Sequence, residues 1–249
     1  MVAIPKITYD ATLAAVDTEM QNRDRRSEPR KYLGMSAIGG ECSRKLWYGY
    51  HHPIQEEFDA ATIRRFMDGH KSEDIIADRL RLLPGLTLHT HDPKTQKQFE
   101  LSDFDDKFQG HMDGVILGLV QAPKTWHVWE AKAVNDKKFE KFRLMKRELG
   151  EKNVLKVWDT TYYAQAQCYM GYADLQRHYL TVCTPGVRDW EAVRTEFNQA
   201  DFDAIRDKAD RILNARAPLA RISNDPNWFI CKWCQYNDKC HHGTETLPT

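Results

Sequence analysis

The pattern of apolar and polar positions divides the chain into a helical beginning, a strand-rich middle and a helical end. Between Ile7 and Arg23, Leu13, Val16 and Met20 recur at helical spacing, which predicts a short amphipathic helix. Asn22 to Lys31 is highly charged, contains Pro29 and reads as a linker. Ser36 is a candidate helix cap, with Gly39 and Gly40 blurring where the helix begins. Ala60 to Leu83 carries the longest helical pattern of the first half, and Pro84 and Gly85 end it. From Leu86 the period shortens to that of strands. Leu86 to His91 and Gln98 to Leu101 are short candidates, whereas Phe108 to Leu117 and Trp126 to Ala133 are stronger. Asp136 to Lys156 is lysine-rich and polar. Asp159 to Tyr172 reads as a helix, Gln176 to Cys183 as a strand and Phe202 to Ala215 as a late helix. This order predicts a mixed α/β core with helices on the sheet.

The 249 residues are 41% hydrophobic and 29% charged, ordinary proportions for a globular protein. No apolar run approaches a membrane span, and Met1 to Asp10 lacks the basic and apolar stretches of a secretory signal. The expected location is the cytosol, of a bacterium or of a phage-infected host. Thirty-six basic residues balance 36 acidic ones, so the net charge carries no basic excess that would point to nucleic acid. A protein that binds divalent cations on nucleic acid would nevertheless have reason to hold carboxylates. Among six cysteines, Cys168 and Cys183 stand alone in apolar segments and read as packing residues.

The chemistry concentrates on the strand Trp126 to Ala133. Alternation along a strand puts Glu130 and Lys132 on one side. One reading is a surface ion pair on an exposed strand face. The other is a site, because Asp113, in Gly110-His111-Met112-Asp113-Gly114, lies on the preceding predicted strand and can converge with Glu130. Two carboxylates suit a hard cation such as Mg²⁺, with Lys132 beside an attacked phosphate. His70 lies on the early helix, where a lone histidine is ordinarily a part-exposed polar residue.

The order His70, Asp113, Glu130-Ala131-Lys132 and then Gln165-Ala166-Gln167-Cys168-Tyr169 resembles the RecB-like nucleases of the PD-(D/E)XK superfamily. That resemblance implies a core of a mixed central sheet flanked by helices. It implies Mg²⁺ or Mn²⁺ held by His70, Asp113, Glu130 and the Ala131 carbonyl, Lys132 orienting the attacking water, and Gln165 and Tyr169 supporting the site or touching DNA. It further implies a DNA exonuclease of recombination, repair or phage DNA processing. The partners it implies are DNA and a helicase, an annealing protein or a CRISPR adaptation protein. The alternative is a non-catalytic DNA-binding or assembly protein that keeps the fold.

Near the end of the chain, Cys231, Cys234 and Cys240 have the spacing of metal ligands, and three ligands leave a tetrahedral site one short. Cys42 is the natural fourth. The arrangement resembles the iron–sulfur clasp of AddB-type and CRISPR-associated RecB-like nucleases, which implies a [4Fe–4S] cluster tying a helical cap to the core. Zinc is the alternative, with His241 and His242 available as substitutes. Trp47 and Tyr48 would then pack against Trp228, Phe229 and Trp233. The expected organisation is a single nuclease domain, 1–249. Within it, 1–85 is a helical part carrying Cys42 and His70, 86–200 is the catalytic core, and 201–249 is a last helix with the clasp.

Two further features stay open at this point. The basic run Lys132, Lys137, Lys138, Lys141, Arg143, Lys146, Arg147, Lys152 and Lys156 is either a solvated helix face or a phosphate-binding surface. Trp126, Trp129 and Trp158 either stack on bases or, the commoner case, pack in the core.

Overall fold

A computed structural model describes residues 10–24 and 29–243 of the chain. The first helix, α1, runs Ala11–Asp24 and buries none of its residues. The start of the expected helix, 7–9, and part of the charged linker, 25–28, lie outside the described residues. A two-residue strand, β1 (Leu33–Gly34), leads through a short 3-10 turn to α2 (Ser43–His51). The Cys42 sulfur caps α2 by accepting from the Lys45 amide. The long helix α3 (Ala60–Arg81) starts at Asp59, whose carboxylate accepts from the Thr62 amide.

The strands follow: β2 (Thr87–His89), β3 (Phe99–Asp103), β4 (Phe108–Met112), β5 (Gly114–Leu117) and β6 (His127–Ala133). The single strand expected over Phe108 to Leu117 is therefore two strands, broken at Asp113. The break moves the chain between sheets. β4 belongs to a three-stranded sheet, β1-β4-β3, and β5 to a five-stranded one. The lysine-rich stretch forms two helices, α4 (Asp136–Leu149) and α5 (Glu151–Trp158), separated by Gly150 at φ 76°. Next come α6 (Thr160–Tyr172), β7 (Arg177–Cys183), β8 (Trp190–Glu196) and α7 (Gln199–Asn214). Two short helices end the described chain, α8 (Phe229–Lys232) and α9 (Asn237–His241).

The larger sheet has the order β2-β5-β6-β7-β8, with β6 and β7 parallel and the other pairs antiparallel. A parallel pair needs a crossover, and α4, α5 and α6 supply it. They cover one face of the sheet, where Phe139, Phe142, Val154, Leu155 and Met170 join Leu180, Val182 and Val193 in the main core. The other face packs Trp129, Ile116 and Leu88 beneath Ile76 and Ala77 of α3. Cys168 and Cys183 are fully buried packing residues, as are Trp129 and, nearly so, Trp158.

The expectation of a cap tied by a four-cysteine cluster is corrected. Cys42, Cys231, Cys234 and Cys240 do line one small cavity. Among the described residues, however, no group of three or more His, Cys, Asp or Glu side chains could hold a metal ion. The sulfurs have other places: Cys42 caps α2, and burial raises the pKa of the Cys231 thiol, which favours its protonated form. Hydrogen bonds and stacked rings join the two ends instead. Trp47 Nε1 donates to the Ala215 carbonyl at 2.8 Å, and Arg44 donates to that of Leu219 at 2.8 Å. Lys208 Nζ donates to the carbonyls of Ile38 and Gly40, each at 2.7 Å. Tyr48 stacks on Tyr236 with centroids 5.4 Å apart, whereas Phe229 and Trp233 stand 65% and 81% exposed.

Candidate active site

The break between β4 and β5 builds the site. Pairing of β5 with β6 ends at Gly114 opposite Trp129, so the next amide of β6 on that edge has no β5 residue beside it. The Asp113 carboxylate takes that place: its Oδ2 accepts from the Ala131 amide at 2.9 Å. Gly114 permits the close approach of the neighbouring strands. A Cβ there would sit 2.5 Å from the His89 carbonyl oxygen and 3.2 Å from the Trp129 ring.

On β6, Glu130 and Lys132 project to the same side, and Lys132 Nζ donates to Glu130 Oε1 at 2.6 Å. The pair is not on a solvated strand face, because Glu130 is 2% exposed. Its other support comes from α6. Gln165 Nε2 donates to Glu130 Oε1 at 3.0 Å and lies 3.0 Å from the Tyr169 hydroxyl, one helical turn on. Glu130 Oε2 is buried without a hydrogen-bond partner.

A fourth charged group completes the set, and the sequence reading missed it. Glu73 of α3 feels the charges of both Asp113 and Lys132. Burial, then Asp113, pushes the Glu73 carboxyl up to about 7. Burial and Asp113 likewise hold Glu130 far above the ordinary carboxyl range. Burial opposes the charged form of Lys132, but Glu130 and Asp113 outweigh it and keep the ammonium protonated. Burial also raises the Tyr169 phenol.

His70 does not join this set. It lies on α3 three residues before Glu73 and is exposed. The expected cofactors, Mg²⁺ or Mn²⁺ at the carboxylates and [4Fe–4S] or Zn²⁺ at the cysteines, are therefore corrected together. Among the described residues no metal-holding group of three such side chains is assembled. The physical reason lies in the donors. Asp113 Oδ2 is occupied by the Ala131 amide, Glu130 Oε1 by Lys132 and Gln165, and His70 faces outward.

The basic run after β6 is mostly neutralised from within the protein. Lys138 pairs with Asp159, Lys146 with Glu191, Lys152 with Glu196 and Lys156 with Asp201, at 2.7–2.8 Å.

Solved structures similar to this chain over most of its length include two exonucleases. A phage-related exonuclease from Haemophilus somnus is 11% identical, with 73% of this chain and 91% of that chain covered and a TM-score of 0.50. An alkaline exonuclease from Laribacter hongkongensis is 16% identical, with coverages of 79% and 90% and a TM-score of 0.49. The likeness to the phage-related exonuclease is one of fold. The mixed sheet flanked by helices is as expected, and among the described residues no cysteine group that could hold a metal stands over it. No protein-family model matches the sequence, and no curated protein does. Among the described residues no helix is long and apolar enough to cross a membrane.

Proposed function

We propose that the chain is a DNA nuclease, acting as an exonuclease, with Asp113, Glu130 and Lys132 at its catalytic centre and Glu73 beside them. One observation carries this reading: a part-buried lysine ammonium faces three carboxyl groups at a break in the sheet. A buried ion pair adds little net stability, since desolvation offsets most of the attraction. Chemistry gives the arrangement a purpose, and perturbed carboxyls clustered around one cation mark functional sites.

The geometry suits phosphodiester hydrolysis. Lys132 supplies positive charge for the phosphoryl oxygens as the phosphorus takes on negative charge. A water oxygen forms a bond to phosphorus while the bond to the leaving oxygen breaks. The proton of the water passes to Glu73, whose pKa near neutrality matches general acid–base work. Glu130, ion-paired to Lys132, holds the ammonium toward the phosphate, and the leaving oxygen takes its proton from solvent water. Gln165 and Tyr169 hold Glu130 in place. His70, exposed one turn from Glu73, is placed to meet a neighbouring phosphate.

The test is degradation of end-labelled single- and double-stranded DNA. It is run with magnesium chloride, as the counter-ion of the DNA, and again with chelator. Stepwise shortening of label-bearing strands is expected from the wild-type protein. Lys132→Ala and Glu130→Gln should each slow it by about a hundredfold to a thousandfold, with an unchanged circular dichroism spectrum. Wild-type rates in both variants, or no cleavage of any DNA by the parent protein, would sink the proposal.

A further inference from the structure

Away from the carboxylates, a groove of about 570 Å³ opens between the N-terminal segments and the start of α3. It is within the ~300–1,000 Å³ range of sites that enclose small organic ligands. Its walls include five aromatic rings, Tyr32, Tyr50, Phe58, Phe66 and Tyr236, and two cations, Arg30 and Lys45. Phe58 meets Phe66 edge-on at 5.0 Å, and the Arg30 guanidinium lies over the Tyr32 ring at 5.3 Å. Phe66 is 46% exposed.

Two independent paths tie this groove to the candidate active site. The first is α3. Phe66 and Glu73 are seven residues apart, so they share one face of the helix and are separated by roughly 10 Å along its axis. Between them on that face lie His70, exposed, and Gly69, where even an added Cβ would meet nothing within 4 Å. The second is β4. Leu33 and Gly34 line the groove and pair with Phe108 and Gln109, and β4 then runs straight to Asp113. Four residues of strand cover roughly 13 Å. Both paths put the near edge of the groove a few nucleotides from the reacting phosphate.

We propose that this groove binds unpaired bases of the DNA strand being cut, stacked on Phe66 and Tyr32, so that the substrate is a single-stranded segment. The inference rests on the nuclease reading and names its substrate class. Aromatic faces accept any unpaired base and are closed to paired ones. Asp24 and Glu56 line the groove as well, so it is electrically mixed. That mixture suits stacking of bases and disfavours a track for phosphates alone. His70, on the open stretch between groove and carboxylates, then faces the backbone that joins the two.

The experiment measures fluorescence anisotropy of labelled dodecathymidylate, an abasic oligomer of equal length and a blunt duplex. Chelator is present, and catalytic rates on a dinucleotide are followed in parallel. Phe66→Ala and Tyr32→Ala should each weaken dodecathymidylate binding by about fivefold to a hundredfold. Binding of the abasic oligomer and cleavage of the dinucleotide should stay at wild-type levels, and Phe66→Tyr should bind as the parent does. Circular dichroism checks folding, and two separate ring positions guard against a local collapse at either. If both alanine variants bind dodecathymidylate like the parent while cleavage persists, the groove is not the base site and the nuclease reading survives. Tighter parental binding of the duplex than of dodecathymidylate would also overturn the proposal. A parent that neither cuts nor binds any DNA overturns both readings at once.

Discussion

Glu73 keeps its proton to near-neutral pH because burial and the charge on Asp113 both disfavour its carboxylate. This has a consequence for stability with a definite sign. Between its ordinary value of 4.5 and about 7, the folded chain binds this proton more tightly than the unfolded chain does. Stability contributed by the group is full below 4.5 and is lost as the pH rises through 7. Glu73→Gln should therefore raise the melting temperature at pH 8 relative to the parent and leave it nearly unchanged at pH 4, as differential scanning calorimetry would show. Each unit of pKa shift corresponds to about 1.4 kcal/mol, so the gain is measurable. His178 acts in the opposite sense. Burial pushes it down to about 3, with Nδ1 unpartnered, so its contribution is lost as the pH falls from 6.5 toward 3. His178→Leu should flatten the acid limb of the stability profile; an unchanged limb would mean another group sets it.

At the scale of elements, the junction of β4 and β5 sets the geometry of the site. Gly114→Ala forces a methyl group against the His89 carbonyl and the Trp129 ring. It should destabilise the fold by about 1–3 kcal/mol in urea titration and slow cleavage as well. That junction was invisible in the sequence, because apolar residues alternate through Asp113 without a pause and period-two patterning cannot register a change of sheet. The site was legible in part. Glu130, Lys132, Asp113, Gln165 and Tyr169 stand together because strand alternation and helical spacing are local rules. Choosing between His70 and Glu73 was not a local matter. Both share the side of α3 that carries Ala77, and only the point where the helix crosses β6 decides which one meets the strand. α4 and α5 were hidden by lysines that dilute an apolar stripe of Phe139, Phe142, Val154, Leu155 and Trp158. β8 escaped notice because only Val193 and Thr195 are buried along it.

Across the whole molecule, the helical part near the beginning is held to α7 and the chain after it by a few long-range hydrogen bonds. Trp47→Phe removes the bond to the part-buried Ala215 carbonyl. A loss of about 1–3 kcal/mol is expected in chemical denaturation, with catalytic rate per folded molecule unchanged. The balanced charge also finds its explanation here. Basic residues beside the site are matched by acidic partners on β8, α7 and the start of α6, so excess positive charge is not what would bring DNA to the protein. The Asp113 carboxylate, finally, stands in for a missing strand at the Ala131 amide. That single N–H is therefore a clock for the assembled site. Its exchange with deuterium should be slow while the two sheets are docked and fast once they part, even if each sheet remains intact. In Asp113→Ala the same proton should exchange early while its neighbours on β6 stay protected, recording the loss of the seam and not of the fold.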